Sequence, residues 1–314
     1  MINKLNLIVK MKFGSHLYGT DTPNSDLDYK GIFLPTKEEI FLNRIPKEYN
    51  ITTGKNDSKN SHEDVDIEIF SLHQFIKLAC EGQTVAMDML HAPKDMIESD
   101  SVIWMKIQLN RNKFYTKNLT AFIGYARRQA ARYGIRGSRL NTVRTILNIL
   151  KSKERTTKLL EFWDELPDLE HTQKGELDKN GIELYEVCGK KYQKTVESQY
   201  MYSSLKIFEE NYGERAKQAA ENKGIDWKAV SHAIRAALQI KELLQDKTIT
   251  FPLKEAEYLK KVKQGKLHYI NEVAPYLESL MSEIEILKNN SDLPEKPDRK
   301  FWDKFLIKTV EENI

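Results

Sequence analysis

The sequence predicts an α+β protein, with a small α/β domain in residues 1–105 and a mainly helical domain in residues 106–314. Two observations lead to this class. In the first hundred residues, apolar and polar side chains alternate in short runs, as in strands, and a single helix follows them. From about residue 105 onward, apolar residues recur at intervals of three and four, which is typical of helices. A chain of 314 residues is long enough for two such domains.

The N-terminal domain is predicted to contain three strands and one helix. The strands are expected at residues 7–13, 27–34 and 65–70. Pro35 ends the second strand, because proline cannot donate a backbone hydrogen bond to a sheet. The polar stretch from Lys47 to Asp64 is predicted to be a long loop. Ser71 is expected to cap a helix that ends at Gly82.

The remaining chain is predicted to be helical with one interruption. Helices are expected at residues 114–133, 138–150, from 204 onward, 227–244, from 251 onward and 274–287. Asp226 is a suitable N-cap for the helix at 227–244. A hairpin is expected near residues 182–195, where short runs flank Cys188-Gly189-Lys190. Phe301 and Trp302 are expected to dock the C-terminal segment by burying aromatic surface.

Composition excludes several classes of protein. Hydrophobic residues make up 40% and charged residues 30% of the chain, as in globular domains. No apolar run approaches the roughly 20 residues of a membrane helix, so no membrane partner is expected. Cys80 and Cys188 lie far apart, which argues against a disulfide framework or a zinc cluster. The N-terminus lacks the apolar core of a secretion signal, and we expect a cytoplasmic protein.

Charge is distributed unevenly, although the net charge is only +3. In residues 106–160 basic side chains recur and Glu154 alone is acidic. Such asymmetry is typical of proteins that bind polyphosphate or nucleic acid, and a solvated helix face is the alternative. Four arginines of this segment are candidates for contact with an RNA backbone, namely Arg128, Arg132, Arg136 and Arg139.

Two pairs of carboxylates have the spacing of a metal site. Asp26 and Asp28 are two residues apart at the start of the second predicted strand, so both side chains are expected to point the same way. Asp66 and Glu68 share one side of the third predicted strand for the same reason. Like charges this close repel each other unless a cation lies between them, and Mg²⁺ prefers oxygen ligands. We therefore expect Asp26 and Asp28 to bind metal together with Asp66 or Glu68.

Gly14 and Ser15 follow the first predicted strand directly. Glycine permits a close approach of the backbone, and the neighbouring amides together with the Ser15 hydroxyl can bind phosphate oxygens. A Gly-Ser pair alone is a weak signal, and so is Asp-x-Asp alone. Their combination on consecutive strands indicates a nucleotide site more strongly.

This joint pattern resembles the DNA polymerase beta superfamily of nucleotidyltransferases. The resemblance implies that residues 1–105 form a polymerase-beta-like nucleotidyltransferase domain with a mixed sheet. It implies that Gly14 and Ser15 bind the triphosphate of the substrate. It also implies that Asp26, Asp28 and Asp66 bind two Mg²⁺ ions, or Mn²⁺ in their place, with Glu68 as the alternative third carboxylate.

Further blocks are similar to the predicted nucleotidyltransferase family associated with RNA ligases. They are residues 19–26, residues 71–84 with residues 88–90, residues 227–235 and residues 251–253. With the catalytic block they are scattered over about residues 5–285. This narrower resemblance favours an RNA end as the acceptor.

Lys228, His232 and Arg235 are spaced i, i+4 and i+7, so they share one face of the predicted helix. Apolar residues such as Val230 and Ile234 lie beside them. We expect this basic stripe to close over the triphosphate, as the resemblance implies. A solvated basic face is the alternative.

The predicted function is thus a Mg²⁺-dependent nucleotidyltransferase. It moves a nucleoside monophosphate (NMP) from a nucleoside triphosphate (NTP), with ATP the expected donor, to an acceptor hydroxyl and releases pyrophosphate. Asp66 is expected to take the proton of that hydroxyl. An RNA end is favoured as acceptor, and a protein side chain (AMPylation) and a small molecule are alternatives. A non-catalytic nucleotide sensor or antitoxin-like binding protein is the competing class.

Overall fold

The structure is a computed structural model that describes residues 5–53, 64–117, 137–169 and 171–313. The chain forms two compact units. The first consists of residues 1–131, 226–267 and 275–314, and the second of residues 132–225 and 268–274. The first unit thus combines the N-terminal sheet with helices from the end of the chain. The domain boundary predicted after residue 105 stays a prediction.

A five-stranded mixed sheet lies in the first unit. Its strands are β1 (Asn6–Lys12), β2 (Leu27–Leu34), β3 (Glu48–Thr52), β4 (Val65–Ser71) and β5 (Ile97–Asp100). Their spatial order is β3-β4-β2-β1-β5. The central pair β2 and β4 is parallel, and the other three pairs are antiparallel. The predicted α+β class with a mixed N-terminal sheet is confirmed.

The helices alternate with the strands early in the chain and dominate its later part. They are α1 (Gly14–Tyr18), α2 (Lys37–Phe41), α3 (Leu72–Cys80), α4 (Thr84–Leu90), α5 (Val102–Leu109), α6 (Gly137–Lys151), α7 (Ser198–Ala220), α8 (Trp227–Asp246), α9 (Ala256–Lys263), α10 (Ala274–Asn290) and α11 (Arg299–Asn313). Among the residues that the structure describes, no helix is long and apolar enough to span a bilayer.

Two predicted N-caps are confirmed. The Ser71 side chain accepts a hydrogen bond from the Gln74 amide at the start of α3. The Asp226 side chain accepts one from the Ala229 amide at the start of α8. Both caps satisfy amides that a helix leaves without internal partners.

Apolar burial holds the first unit together. The completely buried side chains of Val9 and Ile69 lie on neighbouring parts of the sheet, and Trp104 of α5 is equally buried. Trp302 of α11 stacks on Phe114, with ring centroids 3.9 Å apart and an angle of 6° between the planes. The expected docking of the C-terminal segment by Trp302 is therefore confirmed.

The second unit has its own sheet and core. Its antiparallel strands are β6 (Thr172–Leu177), β7 (Glu183–Val187) and β8 (Lys190–Gln193). Buried side chains of α6, α7, β7 and β8 form the core, among them Ile146, Tyr185 and Met201. The predicted hairpin is confirmed as β7–β8. β6 was not predicted, because its exposed sequence lacks a regular apolar face.

The loop predicted from Lys47 to Asp64 is wrong in its first part, which forms β3. Tyr49 and Ile51 alternate with polar residues, and the strand pairs with β4 along its whole length. The Tyr49 ring lies 5.3 Å from that of Phe33, measured between centroids. The pairing with β4 and the contact between Tyr49 and Phe33 thus stabilise a strand despite the polar composition of this segment.

The helix predicted at 114–133 is wrong at its start. Arg111–Phe114 forms a short 3₁₀ turn, and Tyr115 has an extended backbone. The Tyr115 hydroxyl is hydrogen-bonded to His91, which turns this residue into the core. Arg128, Arg132 and Arg136 lie outside the described residues, and so does the side chain of Arg139.

Two other helices begin elsewhere than predicted. α7 begins at Ser198 rather than near residue 204, and the Ser198 hydroxyl donates to the Glu154 carbonyl. α9 begins at Ala256 rather than at Phe251. The residues before α9 lie against the end of α1 instead, where the Leu253 amide donates to the Tyr18 carbonyl over 3.2 Å.

Candidate active site

Three carboxylates meet where β2 and β4 begin. Asp28 and Asp66 are register partners in this parallel pair, and Asp26 precedes β2 by one residue. One carboxylate oxygen from each residue lies within 4.8 Å of the others, and all three side chains are half-buried. The structure therefore brings together Asp26, Asp28 and Asp66, which the sequence predicted as a metal site.

Glu68 lies two residues beyond Asp66 and has a different contact. It forms an ion pair with Lys30, its register partner on β2. Among the described residues, Glu68 does not belong to the group of carboxylates that can share one ion. The geometry thus separates the two alternatives for the third carboxylate, with Asp66 beside the aspartates and Glu68 beside a lysine.

The electrostatics of the carboxylates favour a bound cation. Burial raises the pKa of Asp28, and the neighbouring charges of Asp26 and Asp66 raise it further, whereas Lys30 lowers it. A divalent ion would neutralise this repulsion, and a donor set made only of carboxylate oxygens suits a hard ion such as Mg²⁺. The residues present therefore fit the metal that the sequence predicted.

Gly14 lies in direct contact with this cluster. Its φ is +61°, and a Cβ atom at this position would lie 1.9 Å from Oδ2 of Asp28. The Phe13 amide also donates to the Asp28 carbonyl over 2.8 Å. The backbone before α1 thus approaches the carboxylate as closely as only glycine permits.

The Ser15 hydroxyl is available for a hydrogen bond with a ligand. Its oxygen is buried and has no hydrogen-bond partner among the described residues. A buried hydroxyl without a partner is unfavourable, and an incoming phosphate oxygen would satisfy it. Ser15 lies in the first turn of α1 and borders the same cavity as the three aspartates.

This cavity, which we call the nucleotide cavity, has a volume of about 350 Å³ and lies within the first unit. Its acidic side chains come from β2, β4 and the residue before β2, and its basic ones from α8, α9 and β2. Residues that line the cavity include Gly14, Ser15, Asp26, Asp28, Lys30, Asp66, Lys228, His232, Arg235 and Lys263. A cavity with both signs of charge matches a triphosphate bound together with cations.

His232 differs from the other basic residues of the cavity. Burial, together with the positive charges of Arg235, Lys228 and Lys263, lowers its pKa to about 4. At neutral pH it is thus an uncharged imidazole that can donate or accept a hydrogen bond. Lys228 and Arg235 are the cations of the predicted stripe.

Sequence reasoning missed Lys30 and Lys263. Lys30 is two residues after Asp28, so the strand period already placed it on the same side. Lys263 ends α9, where several lysines follow one another. The packing of α9 against α8 selects one of them for the cavity, and no local pattern contains that information.

Comparisons with known proteins agree with this geometry. The model of the RNA repair pathway DNA polymerase beta family matches residues 2–312. An "uncharacterized 38.9 kDa protein in nrdC-mobD intergenic region" of Enterobacteria phage T4 is 37% identical over 331 aligned positions, which cover 98% of each chain. No solved structure gives a significant match.

Proposed function

The chain belongs to the RNA repair pathway DNA polymerase beta family, and on this basis we propose that it is a Mg²⁺-dependent nucleotidyltransferase. It transfers an NMP from an NTP, with ATP the expected donor, to an acceptor hydroxyl and releases pyrophosphate. The observation that carries the proposal is the nucleotide cavity, where Asp26, Asp28 and Asp66 face a ligand space shared with Lys228 and Arg235.

In the proposed reaction, the acceptor oxygen attacks the α-phosphorus of the NTP. A new P–O bond forms to the acceptor, the bond between the α-phosphorus and the bridging oxygen breaks, and pyrophosphate leaves with that electron pair. Asp66 accepts the proton of the acceptor hydroxyl. Two Mg²⁺ ions held by Asp26, Asp28 and Asp66, with Mn²⁺ as a substitute, would neutralise charge on the phosphates and lower the pKa of the acceptor hydroxyl.

The remaining residues hold the triphosphate. The backbone at Gly14 and the hydroxyl of Ser15 bind β- and γ-phosphate oxygens, which supports in-line placement of the leaving group. Lys228 and Arg235 balance the phosphate charge, and His232 contributes a neutral hydrogen bond. Lys263 is a fourth basic contact in this proposal.

We propose an RNA end as the acceptor, because the family description names RNA repair. A protein hydroxyl and a small molecule are the alternatives. A protein that binds NTP without transferring NMP, as a sensor or an antitoxin-like partner, is the competing class.

The experiment is incubation of the protein with each α-³²P-labelled NTP, Mg²⁺, and total RNA or a protein extract. We expect label in the RNA. Label in protein would change the acceptor, and tight NTP binding without any labelling would favour the non-catalytic class.

Site variants accompany this experiment. Asp26→Ala combined with Asp28→Ala should abolish labelling while the circular dichroism spectrum stays unchanged. Asp100→Ala removes an exposed aspartate from β5 and serves as the matched control, with labelling retained. Persistent labelling by the double variant would show that the site assignment is wrong.

A further inference from the structure

We propose that Asp88 is a positioning residue that fixes Arg235 in the nucleotide cavity. This inference rests on the proposed function, since it assigns Arg235 to the triphosphate. Asp88 lies on α4, is 0% exposed and does not border the cavity. Any effect of Asp88 on the substrate must therefore pass through its partners.

The Asp88 carboxylate accepts three hydrogen bonds from two other helices. Oδ2 accepts from the Tyr18 hydroxyl of α1 and from Nη1 of Arg235 of α8, each over 2.8 Å. Oδ1 accepts from Nε2 of Gln239, one turn further along α8, over 2.7 Å. Both oxygens are thus engaged, and one carboxylate joins the helix that follows Gly14 to the helix that carries the basic stripe.

Arg235 is held at a second point. Its guanidinium carbon lies 4.0 Å from the centroid of the Tyr18 ring, within the range of a cation–π contact. Tyr18 is itself oriented by its bond to Asp88. The Arg235 side chain is 14% exposed and lines the nucleotide cavity, so both contacts restrain a guanidinium group at the border of the ligand space.

The cost of this arrangement argues for a functional purpose. Burial raises the pKa of Asp88, and the charge of Arg235 with the donors of Tyr18 and Gln239 opposes that shift. A buried ion pair is often no more stabilising than apolar packing in its place. It does, however, fix an arginine before the ligand arrives, so less side-chain freedom is lost when the triphosphate binds.

The test is calorimetric titration of the full-length protein with each of the four NTPs in the presence of Mg²⁺. For the NTP that the wild type binds, Asp88→Asn should weaken affinity by about tenfold, because it removes a charge-assisted bond to Arg235. In an Arg235→Gln background, Asp88→Asn should change affinity by less than about twofold, because the residue it acts through is gone.

Two further variants separate positioning from mere stability. Gln239 does not line the cavity, and Gln239→Leu removes both the partner of Oδ1 and a 3.4 Å contact to Nη1 of Arg235. Affinity should fall by about threefold. Met89→Ala removes a fully buried side chain from the same helix and should lower the melting temperature with unchanged affinity. The Gln239 variant also provides the test should Asp88→Asn not fold.

Wild-type affinity in Asp88→Asn or, where that variant does not fold, in Gln239→Leu would overturn the inference while leaving the proposed function intact. Equal losses of affinity with and without Arg235 would also overturn it. If the wild type bound no NTP, the proposed function would fail first and this inference with it.

Discussion

Gly14 and Asp28 leave no room for a side chain between them. Gly14→Ala would strain a backbone with φ +61° and place a methyl group on the Asp28 carboxylate. We expect a loss of about 1 kcal/mol in the free energy of unfolding from the backbone alone. Displacement of Asp28 should lower NMP transfer by about a hundredfold, as measured by labelling of the acceptor.

Gly181→Ala is the matched control for this prediction. Gly181 has φ +77°, and a Cβ atom there would meet no other atom within 4 Å. Its variant should show a similar loss of stability with undiminished transfer. Equal activity of the two variants would contradict the proposed role of the Gly14–Asp28 contact.

Asp66 and Glu68 provide a second residue-scale test, because they differ in partner but share a strand and a face. Asp66→Asn removes charge from the carboxylate cluster and should reduce transfer by at least about a hundredfold. Glu68→Gln only weakens a half-buried pair with Lys30, and transfer should stay within about threefold of wild type. The reverse ranking in initial rates would make Glu68 the third ligand.

At the residue scale, the alternation of side chains along the strands predicted most of the carboxylate cluster. Asp26 and Asp28 were placed together by their spacing of two. The choice between Asp66 and Glu68 remained open in the sequence, because it depends on the register between β2 and β4. That register pairs Asp28 with Asp66 and Lys30 with Glu68, and no local pattern encodes it.

At the scale of elements, the end of α4 carries a buried histidine that is sensitive to pH. His91 donates from Nδ1 to the Met87 carbonyl, so Nε2 accepts from the Tyr115 hydroxyl, each over 2.8 Å. Burial lowers the pKa of His91, and the charge of Arg111 adds to this effect against the opposing hydrogen bond to Met87, so the pKa is about 4. Protonation would disrupt the bond from Tyr115 and place a charge in the core.

The sign of the pH effect follows from this lowered pKa. Between pH 6.5 and pH 4 the unfolded chain binds a proton at this histidine and the folded protein does not. The free energy of unfolding should therefore be constant above pH 6.5 from this group and fall by up to about 3 kcal/mol as the pH drops to 4. Denaturant unfolding across this range measures it.

His91→Gln keeps a donor and an acceptor but cannot titrate. Its stability should decline less steeply than that of the wild type over the same pH range. Part of the decline should remain, because His232 also has a pKa of about 4. Parallel pH profiles for the two proteins would contradict the assignment to His91.

The elements that the sequence predicted well are those with strong local signals. β2, β4, α3 and α8 each combine a clear period with a terminal proline or cap. β3 was missed because its segment is polar, and its pairing with β4 cannot be derived from a local pattern. The helix predicted at 114–133 does not begin at Phe114, since the hydrogen bond between Tyr115 and His91 outweighs the helical spacing of the sequence.

At the scale of the whole molecule, the site depends on residues far apart in the chain. Asp66 and Lys228 belong to the same compact unit and border the same cavity. The sequence predicted the acidic group and the basic stripe separately, and assigned them to different domains. Long-range packing of α8 beside the sheet could not be derived from periodicity.

The acceptor can be tested at the same scale by the salt dependence of RNA binding. If RNA phosphates contact basic side chains, counterions are released on binding. The affinity for an RNA oligonucleotide should then fall at least about tenfold between about 50 and about 200 mM salt. Fluorescence anisotropy measures this, and an affinity independent of salt would argue against an RNA acceptor.

The position of the transferred phosphorus tests the central claim most directly. The acceptor is incubated with the protein, Mg²⁺ and NTP labelled either at the α- or at the γ-phosphate. We expect the α-label on the acceptor and the γ-label in pyrophosphate, with neither transfer nor release by the Asp26→Ala, Asp28→Ala variant. Transfer of the γ-label to the acceptor, or undiminished α-transfer by the variant, would contradict the account.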